Sequence, residues 1–99
     1  MDVTYETKKL QKTCTIDRNM RMAYADEIIK PLKRRIKQIE SASSLADVQA
    51  GLGSWHPLTG RGTAVYAAKL SANYRLVVQF RSVEHSESAA HVLDIEDYH

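Results

Sequence analysis

The order of the predicted elements indicates an α+β domain: one strand, then helices, then a meander of three strands. Apolar residues recur at helical spacing in the first half of the chain and alternate with polar residues in the second half. Helices should pack on one face of the sheet. The 99 residues suffice for a single domain, 1–99, with one modest core.

The first half of the chain predicts an edge strand followed by helices. Val3-Thr4-Tyr5 alternates like a short strand, and one or two helical turns follow over residues 6–13. Residues 17–42 favour helix with one interruption, and the apolar residues of one face are Ile29, Leu32, Ile36 and Ile39. Pro31 has no N–H, so it should lie in a helix's first turn or at a kink, with Asp26 and Glu27 near the positive helix end.

The second half predicts strands. Residues 41–44 end the helix, residues 45–50 form one more turn, and residues 51–62 form a loop that contains glycines and Pro57. Strands are expected over about 63–70, 73–81 and 90–96, and residues 83–89 should form an exposed loop.

The alternation along these strands predicts which residues share a face. The expected core set of the middle strand is Tyr74, Leu76, Val78 and Phe80. Pairing Leu70 with Tyr74 places Lys69 directly opposite Arg75, and like charges in that position repel each other. A helix-free sheet face with Lys69, Arg75 and Arg81 therefore predicts an anion site; a solvated face decorated with cations is the alternative.

The charges are distributed unevenly along the chain. Residues 1–40 carry ten Lys/Arg and six Asp/Glu, whereas residues 82–99 carry five acids and no Lys or Arg. A basic body suggests a polyanionic partner, although segregated surface charges are an equally plain explanation. One predicted helix face carries only cations, and it is either a solvated face or a contact for RNA phosphates: Lys30, Lys33, Arg34 and Lys37.

The remaining composition limits the class of protein. A single cysteine, Cys14, allows no intramolecular disulfide and fits a reducing compartment. Residues 1–12 are polar and no apolar run is long enough to cross a membrane, so we expect a cytoplasmic protein without a signal peptide. His85 and His91 have no metal-ligand spacing with His56 or His99, so neither a metal nor another cofactor is expected.

Three motifs follow one another between residues 55 and 99. They are Trp55-His56-Pro57-Leu58-Thr59-Gly60, Ala72-Asn73-Tyr74-Arg75-Leu76 and Ile95-Glu96-Asp97-Tyr98-His99. In this order and spacing they resemble the HigB branch of the RelE/ParE toxin superfamily. That branch has a His-Pro-Leu-x-Gly loop, an Asn-(Trp/Tyr)-Arg strand start and a Glu-Asp-Tyr-His end.

The resemblance implies a β-α-α-β-β-β fold, in which a small twisted sheet has helices packed on one face. It also implies the toxin of a type II toxin–antitoxin system, a metal-free endoribonuclease that cuts messenger RNA on the ribosome and inhibits translation. The implied partners are a helix-turn-helix antitoxin of the HigA type, the ribosome with its messenger RNA, and operator DNA only through the antitoxin, with no membrane. The implied catalytic residues are His56, Arg75, Asp97, Tyr98 and His99. Many relatives have a lysine where this chain has Thr59, and Arg61 or Lys69 could supply that cation. The expected RNA-binding residues are Arg61, Lys69 and Arg81, together with Lys30, Lys33, Arg34 and Lys37 of the predicted helix.

Metal-free RNA cleavage requires the ribose 2′-OH to attack the neighbouring phosphate. Histidine suits the proton transfers because it titrates near neutrality, which favours His56 and His99. Arginine suits the charged phosphorane because its planar fork matches phosphate oxygens, which favours Arg75. Asp97 would orient or tune a histidine, and Tyr98 would stack on a base or assist with the proton.

The alternation of the last strand leaves two arrangements open. A regular strand with Leu93 and Ile95 inside places Glu96 and Tyr98 on the Arg75 face, with Asp97 and His99 behind it. Either the strand frays after Ile95, or the acid–base chemistry belongs more to Tyr98 and Glu96.

Two other functions compete with the ribonuclease. The first is a toxin of the ParE type, which inhibits DNA gyrase without nuclease activity. The second is a non-enzymatic nucleic-acid binder that uses only the basic sheet face. The histidines and Asp97-Tyr98 favour the nuclease, because a protein that only binds needs no acid–base set.

Overall fold

A five-stranded sheet with four helices forms the domain, and a computed structural model describes residues 1–82 and 88–98. The helices are α1 (Lys8–Thr15), α2 (Asp17–Ala23), α3 (Asp26–Ser41) and α4 (Leu45–Ala50). The strands are β1 (Asp2–Tyr5), β2 (His56–Pro57), β3 (Val65–Lys69), β4 (Tyr74–Ser82) and β5 (Ser88–Asp97). The predicted α+β class and the helix-covered sheet are confirmed.

The strands lie in the order β1-β5-β4-β3-β2. The edge strand β1 runs parallel to β5, and the other neighbours are antiparallel. The predicted loop before the meander in fact contains β2, which pairs with the start of β3. Strand β2 has only two residues, so it shows no alternation in the sequence. Its Pro57 has no N–H to donate, which is tolerated at the edge of a sheet.

The helical interruption lies before α3 and not at Pro31. Ile16 and Tyr24 are extended; Ile16 separates α1 from α2, and Tyr24 lies between α2 and α3. Pro31 is the sixth residue of α3, so it lies in the second turn instead of the first. Asp26 and Glu27 occupy the first turn, as predicted. Thr7 and Ser44 cap α1 and α4 by accepting hydrogen bonds from Leu10 and Asp47.

One core lies between α3 and one face of the sheet. The predicted stripe of α3 is buried, together with Ile28, and it packs on Leu76, Val78 and Phe80 of β4. Cys14 belongs to the same core, and burial raises the pKa of its thiol to about 12. The opposite side of α3 is exposed, as predicted. No helix of the described residues is long and apolar enough to cross a lipid bilayer.

Leu32→Ala should lower the free energy of unfolding by about 2–5 kcal/mol, because Leu32 is fully buried and its removal leaves a cavity. Urea denaturation measures this. Lys30→Ala on the exposed side of the same helix is the control and should change stability by no more than about 0.5 kcal/mol. Equal destabilisation of the two variants would contradict the assignment of the core.

Candidate functional site

The sheet face that points away from the helices carries the candidate site. Lys69 lies directly opposite Arg75 across β3 and β4, as predicted, and Glu96 lies opposite Arg75 across β4 and β5. Residues directly opposite each other in a sheet point to the same side, so these three residues share one row. We call this side the open face.

One extra residue in β5 brings Glu96 to the open face. Val78 pairs with Val92, whereas Val77 pairs with Asp94, so Leu93 has no partner in the register. Such a bulge reverses the alternation of the strand. Val92 and Ile95 are therefore both buried in the core, although three positions separate them. The expectation that Leu93 and Ile95 share the inner face of a regular strand is thus wrong for Leu93 and right for Ile95.

Glu96 is the centre of a charged cluster. Arg75 donates to Glu96 Oε1 from Nε at 3.0 Å and from Nη2 at 2.8 Å. Arg61 donates from Nη2 to Oε2 at 2.6 Å and from Nη1 to Oε1 at 3.2 Å. The Tyr98 ring lies against Arg75, with 4.6 Å between the guanidinium carbon and the ring centroid. We call Arg61, Arg75, Glu96 and Tyr98 the Glu96 cluster.

The two guanidinium groups keep Glu96 ionised. Its pKa falls from the usual 4.5 to about 2, first because of the hydrogen bonds from Arg61 and also because of those from Arg75, against the opposing effect of burial. The side chains of Arg75 and Glu96 are only 19% and 20% exposed, so solvent screens this pair less than a surface ion pair. Glu96 is therefore an anion at any physiological pH and cannot donate a proton there.

The loop between β2 and β3 brings Arg61 to the cluster. Leu58 N donates to Val65 O at 2.8 Å, and Gln79 Nε2 donates to Thr63 O at 3.0 Å, which fixes both ends of the loop. Gly62 has a φ of +117°, a conformation that side chains rarely adopt, and it lies close to Val65 and Gln79. The loop thus folds over the open face, and Arg61 lies two positions after Thr59.

His56 lies on the same open face, at its edge. It pairs with Ala67, which pairs with Val77, two positions along β4 from Arg75. This places the Cα atoms of His56 and Arg75 about 12 Å apart, a gap that their side chains can bridge. His56 Nδ1 lies 3.1 Å from Ser54 O, and a carbonyl only accepts, so Nδ1 donates in this contact and the lone pair of the neutral ring is on Nε2.

The segment before His56 is anchored to the core. Trp55 packs edge-to-face on Phe80, with 5.8 Å between ring centroids, and its Nε1 donates to Gln38 at 3.2 Å. Trp55 is therefore an anchor between this segment and the core. Gly53 has a φ of +118°, and a Cβ there would collide with Arg35 of α3. Arg35 itself is buried, and it lies three residues after Leu32 and four before Ile39, on the buried side of α3.

The last predicted site residues divide between the two faces. Strand β5 continues to Asp97, and Tyr98 N still donates to Asn73 O at 2.8 Å, so of the two arrangements that the sequence leaves open, fraying after Ile95 is excluded. Glu96 and Tyr98 are on the Arg75 side, whereas Asp97 lies opposite the core-facing Tyr74. His99 lies outside the described residues, as do residues 83–87 of the predicted loop, which include His85. The last two residues of that predicted loop, 88 and 89, belong to β5 instead.

The other predicted RNA contacts differ in their partners. Arg81 donates to Gln79 Oε1 at 3.3 and 3.0 Å, and Lys69 is exposed. On α3, Lys33 pairs with Asp17 of α2, whereas Lys30, Arg34 and Lys37 are exposed.

His91 belongs to a second polar group on the sheet. Its Nδ1 lies 2.7 Å from Thr4 Oγ1, and its Nε2 lies 2.7 Å from Glu6 Oε2, which ties β1 to β5. Within residues 1–82 and 88–98, no three His, Cys, Asp or Glu side chains come together as a metal site would require.

Solved structures of toxins share this fold over the whole chain. A YoeB/ParE toxin from Agrobacterium tumefaciens superimposes with a TM-score of 0.69 at 14% identity, with all of both chains covered. The YoeB dimer from Staphylococcus aureus gives 0.63 at 17% identity, and the YoeB–YefM complex from the same organism gives 0.61 at 15%. In both cases all of this chain and 97% of the other chain are covered. No protein-family model and no curated protein matches the sequence. The chain therefore has the fold of the YoeB/ParE toxins, which confirms the RelE/ParE fold that the motifs predict.

Acid should destabilise the protein through Glu96. Because its folded pKa is below its unfolded pKa, the ionised side chain stabilises the fold above about pH 4.5, and this contribution disappears as the pH falls towards 2. The destabilisation is up to about 3 kcal/mol. Glu96→Gln should lack this component, so its stability should fall less steeply between pH 5 and pH 2 in urea denaturation.

Glu27→Gln serves as the control, because Glu27 is exposed at the start of α3. Its pH dependence should match that of the wild type. If Glu96→Gln retained the full acid dependence, the charged cluster would contribute nothing to stability.

Proposed function

We propose that this protein is the toxin of a type II toxin–antitoxin system and cleaves messenger RNA on the ribosome without a metal ion. The observation that carries the proposal is the Glu96 cluster on the helix-free sheet face, with His56 on the same face. The fold of YoeB/ParE toxins supports the toxin role. An antitoxin partner is supported by the YoeB–YefM complex, whose toxin has the same fold.

Arg75 is positioned to stabilise the phosphorane. It holds Glu96 with Nε and Nη2, which leaves its Nη1 hydrogens for a phosphate oxygen. Glu96 and Tyr98 fix the plane of the guanidinium, so the fork needs little rearrangement when the negative charge develops. Arg61 adds a second cation from the loop that carries Thr59. It substitutes for the lysine that many HigB-like toxins have at the position of Thr59.

His56 is positioned to be the general base. Its Nε2 accepts the proton of the ribose 2′-OH, while Ser54 O holds the ring through Nδ1. The 2′ oxygen then attacks the phosphorus, and the bond to the 5′ oxygen breaks as that oxygen receives a proton. We assign this proton to His99, as the family resemblance implies. Tyr98 stacks on a base. Asp97 lies behind the Arg75 face, so its role is to orient or tune a catalytic histidine.

Expression in a bacterium tests the activity and its substrate together. We expect growth arrest and cuts in translated messages, with no cuts in a copy of the same message that lacks a start codon. Equal cutting of naked RNA and ribosome-bound RNA would contradict the ribosome-dependent part. A fall in DNA supercoiling with intact messages would instead identify a gyrase-inhibiting toxin. Binding of nucleic acid without either effect would identify a non-enzymatic binder.

Arg75→Ala should slow cleavage by about a hundredfold or more, as removal of one stabilising donor does at other oxyanion sites. Arg75→Lys should stay slow because an ammonium group lacks the planar fork. Arg21→Ala is the control, since Arg21 lies on α2 and pairs with Asp17 instead of Glu96; its rate should fall no more than a few-fold. Single-turnover cleavage on ribosomes measures all three rates. A folded Arg75→Ala protein with the wild-type rate would exclude Arg75 from the mechanism.

A further inference from the structure

Glu96 occupies the donors of Arg61 that an RNA phosphate would use. Arg61 holds the carboxylate with two hydrogen bonds, from Nη1 to Oε1 at 3.2 Å and from Nη2 to Oε2 at 2.6 Å. Arginine holds a phosphate group with the same two-pronged geometry, one nitrogen for each oxygen. Both Nη groups of Arg61 are therefore already engaged by an anion of the protein itself.

The fold holds Arg75 more firmly than Arg61. Arg75 lies within β4, directly opposite Glu96 in the register, and its side chain is 19% exposed. The side chain of Arg61 is 41% exposed, and it comes from a loop tip, residues 59–63, in which every residue is exposed. Arg61 also lies between Gly60 and Gly62, so the backbone on both sides of it has wide conformational freedom. Of the two partners of Glu96, Arg61 is thus the one that can move away.

We propose that an RNA phosphate displaces Glu96 from Arg61, while Glu96 stays bound to Arg75. The proposal rests on the proposed cleavage function and gives Glu96 two roles in it. Glu96 is a positioning residue for Arg75, because it holds the Nε and Nη2 groups of that arginine. It is also a competitor of the substrate, because it holds the Nη groups of Arg61 until a phosphate replaces it.

The charges of the Glu96 cluster suit such an exchange of one anion for another. In the free protein, two guanidinium groups share one carboxylate, so one positive charge is left uncompensated within the cluster. A phosphodiester group carries one negative charge, so the cluster with bound RNA contains two cations and two anions. Each arginine then keeps an anionic partner in both states, and neither has to be desolvated without one.

Glu96→Gln should therefore separate binding from catalysis. The probe for binding is a short RNA whose 2′-OH at the cleavage position is replaced by hydrogen. It should bind at least about fivefold more tightly to the variant, because a neutral amide holds Arg61 less strongly than a carboxylate does. Inorganic phosphate should gain affinity in the same direction. Single-turnover cleavage on ribosomes should nevertheless slow at least about tenfold, because Arg75 loses the carboxylate that orients it.

Glu27→Gln removes the same charge from the exposed start of α3 and is the control for long-range effects. It should change RNA binding by less than about twofold at physiological salt, which screens distant charges. Glu96→Asp keeps the charge but shortens the side chain by one methylene group. It serves as the second variant if Glu96→Gln does not fold, and it should also tighten RNA binding.

Arg61→Ala tests whether the gain in affinity comes from Arg61. In an Arg61→Ala background Glu96 has no fork to occupy, so Glu96→Gln should tighten RNA binding by no more than about twofold. Unchanged or weaker RNA binding by Glu96→Gln, or the same gain with and without Arg61, would overturn the proposal. Binding and cleavage that weaken together would also overturn it, in favour of a purely structural role for Glu96.

The same experiments distinguish a failure of this proposal from a failure of the proposed function. A wild-type protein that cuts no RNA, with a Glu96→Gln variant that binds phosphate more tightly through Arg61, would refute the function and leave the exchange intact. A wild-type protein that cuts messages on ribosomes, with a Glu96→Gln variant that binds RNA no better, would support the function and refute the exchange.

Discussion

The pairing of Arg75 with Glu96 depends on one unpaired residue in β5. Without Leu93 as an extra position, Ile95 would lie opposite Arg75, and Glu96 would point to the core. The bulge allows a strand with buried residues at both Val92 and Ile95 to present a carboxylate on the open face. Every other member of the Glu96 cluster contacts Arg75 or Glu96, so the bulge determines whether the site exists at all.

Two segments that are bound to the rest of the structure carry Arg61 and His56. The loop that carries Arg61 is bound to β3 and β4 by backbone and Gln79 hydrogen bonds. The segment that carries His56 is bound through Trp55 to Phe80 and Gln38. Both segments come from the short region between α4 and β3, and they place a cation and an imidazole on the face that the helices leave open. A rigid sheet with functional loops at its margin is a common way of building a site.

The sequence predicts the elements with a strong period and fails where the period is broken. The stripe of α3 and the alternation of β4 define one core face, and that face fixes the register of Lys69 against Arg75. The bulge is harder to predict, because Ala90, Val92, Leu93 and Ile95 fit either of two alternating patterns. Strand β2 is too short to have a period. The charge balance of the site cannot be predicted from the sequence either. Only the contacts in the structure show that Glu96 pairs with both Arg61 and Arg75.

In the proposed function, the open face binds RNA through Arg61 and Arg75. The most direct measurement is an NMR titration of the protein with a short RNA whose 2′-OH at the cleavage position is replaced by hydrogen, so that it binds without being cut. The Nε–H signals of Arg61 and Arg75 and the ring signals of Tyr98 should shift together and saturate at one affinity. Shifts confined to the helix side, with the Arg75 signal unchanged at saturation, would contradict the claim.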